Sequence, residues 1–239
     1  MSTWKSKRFW TTATATTTTE GGFTVTLDDR PVKTPAKRAL VMPTMALAQA
    51  VAQEWDAQED EVNPNTMPVT RAVNAALDKV AQQHGEVADL LAAYGDSDLL
   101  CYRADAPEGL VARQSAAWDP LLDWAHETFG VRLTPTVGLM PRPQNPDDLA
   151  RLSAHVHAMD AFTLTAFHDL VGLSGSLIIG FAALRGHGEV EDLWQTSRID
   201  EIWQEELWGE DEEATAMAAA KRDQFLAAKT FHNLVNDQA

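Results

Sequence analysis

The sequence predicts an α+β fold, with a small antiparallel β-rich domain over residues 1–43 and a larger, mostly α-helical domain over residues 44–239. Three observations carry this reading. Phe23, Val25 and Leu27 alternate with Thr24 and Thr26, the period of two expected of a half-buried strand. After Thr44 the apolar residues recur three and four apart, the period of an amphipathic helix. The 239 residues are 45% hydrophobic, which suffices for one large or two modest cores.

Taken in order, Thr11–Thr19 is nearly all Thr and Ala, and β-branching favours extended backbone. Glu20-Gly21-Gly22 marks a turn, and Phe23–Leu27 follows as a strand. Asp28-Asp29-Arg30-Pro31 reads as a second turn, with short strands at Val32–Thr34 and Ala39–Met42 around Pro35. Thr44 is placed to cap a helix carrying Leu47, Ala48, Val51, Ala52 and Trp55 on one face. Asn63-Pro64 and Met67-Pro68 break the chain before a helix with Val69, Val73, Ala76, Leu77 and Val80 on one side. Further helices are expected near 86–94 and 110–130, with Pro120 opening a new segment. Val131–Leu139 is expected to be extended, and Pro141, Pro143 and Pro146 form a rigid connection. Helices resume near 147–159, 161–172, 175–185, 190–208 and 212–232.

Charge is unevenly spread. The total is −16, whereas residues 1–40 hold seven bases against three acids, a net +4. Between Glu189 and Glu213 there are eleven acids against Arg198 alone, a net −10, together with Trp194, Trp203 and Trp208. An acidic surface repels phosphates, so nucleic acid and an anionic membrane are excluded as partners. Acids with large aromatics suit protein binding: the aromatics anchor, and the charge steers. For a single residue here, a solvated acidic face over core tryptophans is the simpler reading. Helical phasing puts Ile199, Ile202, Trp203 and Leu207 on one expected core stripe, with Glu206 inside it and Trp208 off it. Ser197 and Asp200 have capping-box spacing, so a helix restart is expected there. Gly209 is placed as a left-handed stop.

No catalytic signature emerges. There is no phosphate-binding G-x-x-x-x-G-K-[ST]. Gly172–Ser176 departs from a nucleophile elbow at Ser176 and reads as a helix start. His155 and His157 would point about 200° apart on a helix, so no metal site is expected. Cys101 is alone, which excludes an internal disulfide and fits a reducing compartment. A hydrolase using paired carboxylates stays open, because sequence cannot place two carboxylates across a cleft. A generic acidic adaptor for another client is the other alternative.

A set of short motifs, in order along almost the whole chain, resembles the ATP12 family. They are Lys7-Arg8-Phe9-Trp10, the run Leu27–Pro35 (LDDRPVKTP), Glu54-Trp55-Asp56-Ala57-Gln58, the run Asn63–Thr70 (NPNTMPVT), and Asn74–Asp78, where Ala75 stands for an expected threonine. Gln114 with Trp118–Trp124 (WDPLLDW) follows, then Ser197-Arg198-Ile199-Asp200-Glu201, Gln204 and Trp208-Gly209, with Trp203 in place of Phe or Tyr. The resemblance implies a chaperone and not an enzyme. It implies no cofactor, and a small β domain before a helical one. The implied partner is the unassembled alpha subunit of the ATP synthase catalytic head, kept from aggregating until the beta subunit replaces it. It implies client-binding positions at Asp200 or Glu201, with Gln204, Trp208 and Trp55. Eukaryotic relatives act in the mitochondrial matrix. With the motifs starting at Lys7 and no apolar secretory core, a bacterial cytoplasm and a monomeric free state are expected here.

Overall fold

Where threonines run in sequence, the backbone is extended. In the computed structural model, which describes residues 7–138 and 142–237, Ala13–Thr17 (β1) pairs antiparallel with Phe23–Leu27 (β2), Ala13 opposite Leu27. β2 pairs in turn with Arg30–Pro31 (β3). The sheet therefore turns back earlier than expected. Asp28 and Asp29 make the turn alone, and Arg30 and Pro31 join the sheet. The expected strands at Val32–Thr34 and Ala39–Met42 are reduced to single bridges, Lys33 to Ala39 and Phe23 to Met42. Pro35 has no N–H to donate, and Lys37 turns the chain at φ 69°. Asp28 sits at φ 52°, and its carboxylate accepts from the N–H groups of Thr11 and Thr12, both at 3.0 Å. Those backbone donors hold its carboxyl below the ordinary range.

The β unit does not stand alone at residue 43. The helix Met45–Asp56 (α1), capped by Thr44 on Leu47 N at 3.2 Å, buries Leu47, Ala48, Val51 and Ala52 in one core with Val25, Leu27, Leu40 and Met42. A sheet with one apolar face needs such a cover. The chain accordingly divides into two compact units. One comprises the described parts of Met1–His84 and Thr230–Ala239 with Asp160–Ala166; the other comprises Gly85–Met159 and Phe167–Lys229.

Within the first unit, side chains satisfy the backbone where regular structure ends. Glu54 accepts from Val69 N and Thr70 N, both at 2.7 Å, capping the helix Pro68–Ala75 (α2). The α2 helix runs into a wider turn at Ala76–Val80, where Ala81 N bonds Ala76 O five residues back at 2.8 Å. In that turn Asp78 accepts from Thr34 Oγ1 at 2.7 Å and Ala36 N at 2.9 Å. Buried Gln58 donates to Glu54 O and accepts from Asn63 N at 2.7 Å. The Arg8 guanidinium donates to the carbonyls of Trp10, Thr11, Asp56 and Gln58.

The second unit is helical: His84–Ala92 (α3, beginning at the unit boundary), Glu108–Phe129 (α4), Pro146–His157 (α5) and the larger part of Ala161–Ser174 (α6). Leu177–Arg185 (α7), Val190–Ser197 (α8), Ile199–Trp208 (α9) and most of Glu212–Asn236 (α10) complete it. Tyr102–Arg103 (β4) and Thr136–Val137 (β5) form a short parallel pair. Apart from β5 the backbone over 131–138 is therefore irregular, and Leu139 and Pro141 lie outside the described residues. Pro120 does not open a new segment; α4 runs through it. An interior proline costs about 3 kcal/mol, but Trp118, Leu121, Leu122 and Ala125 around it are buried and hold the helix. The core centres on Phe181, whose ring lies 4.8 Å from Phe129 and 4.7 Å from Phe167. At Gly180 a β-carbon would meet Val171 Cγ2 at 2.6 Å, so α7 approaches α6 closely there. Ser176 caps α7, as its place in the small-residue run suggested, and donates to Asp98 at 2.8 Å.

Two measurements test these staples. Glu54→Ala should destabilise the fold by ~1–2 kcal/mol in denaturant titration, with Glu54→Gln intermediate, because two α2 N–H groups lose their acceptor. Asp98 is fully buried, and burial raises its carboxyl to about 6. The folded state thus favours the protonated form, a contribution complete below the ordinary 3.8 and lost as pH rises through 6. Relative to Asp98→Asn, the natural chain should gain on the order of 2 kcal/mol between about pH 7.5 and pH 4.5.

Candidate functional site

The acidic segment is two helices, not one. The chain breaks at Arg198, φ −111° and ψ 13°, between α8 and α9. The expected restart is there, but the capping box is not: Ser197 Oγ donates back to Trp194 O at 2.7 Å, and α9 starts without a side-chain cap. Trp194 is buried, 5.6 Å from Phe225. Arg222 clamps Glu191 with Nε to Oε1 at 2.7 Å. Arg198 reaches Glu205 at 3.2 Å and Glu201 at 3.7 Å. Gly209 ends α9 at φ 89° and ψ 164°, a conformation confined to glycine but outside the left-handed helical region that was expected.

α9 sits on α4 through a polar seam. Gln114, 1% exposed, accepts from Ala104 N at 2.9 Å and donates to Asp200 Oδ1 at 2.7 Å. Arg113 grips Glu206 with two bonds of 2.9 Å and lies 5.0 Å over the Trp203 ring. These bonds hold the Glu206 carboxyl below its ordinary range. The α9 stripe expected to be core packs only at its start: Ile199 is buried, Ile202 and Trp203 are half-buried, and Leu207 is 57% exposed. The break at Arg198 re-aims the helix, so its last turn leaves the core.

The five predicted client-binding residues are thereby sorted. Glu201, Gln204 and Trp208 are spaced i, i+3, i+7 and all exposed, forming one stripe. Trp208 is 78% exposed, the most exposed large apolar side chain among the described residues. Asp200 is half-buried and engaged by Gln114, 100° around the helix from Glu201. Trp55 lies in the other compact unit, half-buried against its core and edge-on to Trp10 at 5.3 Å. The indole N–H groups of Trp10 and Trp55 are buried with no hydrogen-bond partner. Sequence reasoning missed Arg113 and the role of Gln114 in the seam. Gln114 stood inside a motif, but only contact with Asp200 reveals its use.

A cleft of about 1100 Å³ lies in the first unit, lined by residues including Lys7, Arg8, Gln58, Glu59, Asp60 and Glu61. Asp98, whose carboxyl burial raises, is not among its lining residues, so the cleft gains no general acid from it. Burial and the Asp98 charge push the Cys101 thiol up to about 12, which keeps it from acting as a thiolate nucleophile. Among the described residues, no three His, Cys, Asp or Glu side chains converge as metal ligands.

Comparison with known proteins places this geometry in context. A family model described as ATP12 chaperone protein matches residues 7–126. A fission yeast protein, "Protein atp12, mitochondrial" of Schizosaccharomyces pombe, is 28% identical over 221 residues, 87% of this chain and 75% of that protein. The crystal structure of Atp12 from Paracoccus denitrificans superposes with a TM-score of 0.94 at 47% identity, covering 96% of this chain and 98% of that one. An Agrobacterium tumefaciens protein gives a TM-score of 0.91 at 41% identity, over 96% of this chain and 86% of that one.

Exposure makes the two tryptophans separable. Trp208→Ala should leave stability within ~0.5 kcal/mol of the natural chain, and Trp194→Ala should cost ~3–5 kcal/mol, both read by thermal and denaturant unfolding.

Proposed function

The chain belongs to the ATP12 chaperone family, which serves ATP synthase assembly, and from that premise we propose that its client is the unassembled alpha subunit of the synthase's catalytic head. It shields that subunit until the beta subunit takes its place. The observation that carries the reading is the exposed stripe Glu201, Gln204 and Trp208 on a helix tied to α4 by the Arg113–Glu206 ion pair. An aromatic anchor beside carboxylates is the composition of an interface hot spot with a steering rim. Trp55 supplies a second client position on the other unit. Asp200 is the remaining member of the predicted set.

A holding chaperone must cover an aggregation-prone face of roughly 1,200–2,000 Å² and still release it. Exposed carboxylates suit this, because each contributes only about 0–1 kcal/mol and can be displaced. The free chain is read as a monomer in a bacterial cytoplasm. No described helix is long and apolar enough to cross a membrane.

Two experiments test the proposal. Co-expression with the alpha subunit of the same bacterium should move that subunit from the insoluble to the soluble fraction. Trp208→Ala with Gln204→Ala should lower the recovered soluble subunit at least about tenfold, as loss of an anchor residue does. The association rate should fall as salt rises over the range where the Debye length drops from about 10 Å to 3 Å. A soluble yield unchanged by this chain would discard the alpha subunit as client.

A further inference from the structure

We propose that a polar clasp on α4, made by Gly109, Arg113 and Gln114, aims α9, and that Asp200 acts through Gln114 as a positioning residue, not as a client contact. The purpose assigned to the aiming rests on the docking stripe proposed above; the clasp itself rests on geometry alone.

α9 buries just one residue, Ile199, so apolar burial does little to fix its direction. What meets α4 is the i, i+3, i+6 set Asp200, Trp203 and Glu206, and each has a specific partner. Gln114 is held from behind: its Oε1 accepts from Ala104 N at 2.9 Å, which leaves Nε2 as the group facing Asp200 Oδ1 at 2.7 Å. Arg113 presents a planar fork to both oxygens of Glu206, a pairing that fixes direction as well as distance. The same guanidinium covers Trp203 at 5.0 Å to the ring centroid. Gly109 completes the seat: a β-carbon there would lie 2.8 Å from Trp203 Cη2, so the ring lies where any side chain would stand. Gly109 has no positive φ to explain it, and its neighbours in α4's first turns would favour a better helix former.

With Asp200, Trp203 and Glu206 facing α4, the stripe Glu201, Gln204 and Trp208 is held toward solvent. An acid at position 200 therefore governs docking by keeping that stripe in one orientation. Its half-buried carboxylate is already engaged and needs no client to satisfy it.

The test uses the full-length protein with cysteines introduced at exposed Gln204 and Glu127, spin-labelled for distance measurement between α9 and α4. Native Cys101 is buried, so the introduced thiols label selectively. The natural background should give a narrow distance distribution. Gly109→Ala and Arg113→Glu should each broaden it without lowering the unfolding midpoint of the whole chain. Arg113→Glu combined with Glu206→Arg should narrow it again. In unlabelled protein, binding of the alpha subunit should weaken about tenfold in each single variant and recover to within about threefold in the exchanged pair. Asp200→Asn, which can still accept from Gln114, should bind within about threefold of the natural chain, whereas Asp200→Lys should lose about tenfold and broaden the distances.

Unchanged distance distributions in Gly109→Ala and Arg113→Glu would overturn the clasp. Loss of binding in Asp200→Asn as large as in Asp200→Lys, with narrow distances, would make Asp200 a client contact and overturn its positioning role. If the distances respond as stated while Trp208→Ala leaves client binding intact, the clasp stands and the docking stripe fails.

Discussion

Buried backbone N–H groups must find acceptors, and in this chain side-chain oxygens supply them at many of the places where secondary structure stops. Short helices and a three-stranded sheet leave many such ends. Glu54 closes the start of α2, Asp28 holds the approach to β1, and Asp78 ties the loop after β3 to the wide turn after α2. In the other unit Asp98 takes Leu100 N and Ile178 N, Gln114 takes Ala104 N, and Gln144 takes Thr134 N. This explains why the motifs shared with the family mix acids, amides and prolines. Several of their polar members, among them Glu54, Gln58, Asp78 and Gln114, act as backbone staples, and removing one leaves a backbone N–H without its acceptor.

The same accounting changes the meaning of the acidic segment. Of its eleven acids, Glu191 pairs with Arg222, Glu201 and Glu205 share Arg198, Glu206 pairs with Arg113, and Asp200 accepts from Gln114. Asp211 caps α10 through Ala214 N at 2.8 Å. Much of the apparent excess charge thus orients helices. The charge left facing solvent, with Trp208 beside it, is smaller and better placed than the composition suggested. A few carboxylates around one aromatic anchor favour reversible capture over permanent association.

Chemistry at the buried groups points the same way. Asp98 and Cys101 are the groups that burial perturbs most, and both sit inside the helical core. Their shifts follow chiefly from desolvation and bear on stability.

The sequence by itself determined the fold class, β2 to the residue and the Thr44 cap, because each depends on local periodicity or a local cap; the helix restart near Ser197 stands where it was expected, without the cap that pointed to it. Its ordered motifs also identified the family. Only the tertiary structure decided that α1 belongs with the sheet, that Pro120 lies within a helix, and that Leu207 leaves the expected core. It also decided which of two adjacent acids meets α4. Asp200 and Glu201 differ by 100° of helix rotation, and sequence shows that rotation but not what stands across from it. The Gln114 amide, 86 residues away along the chain, supplies that information.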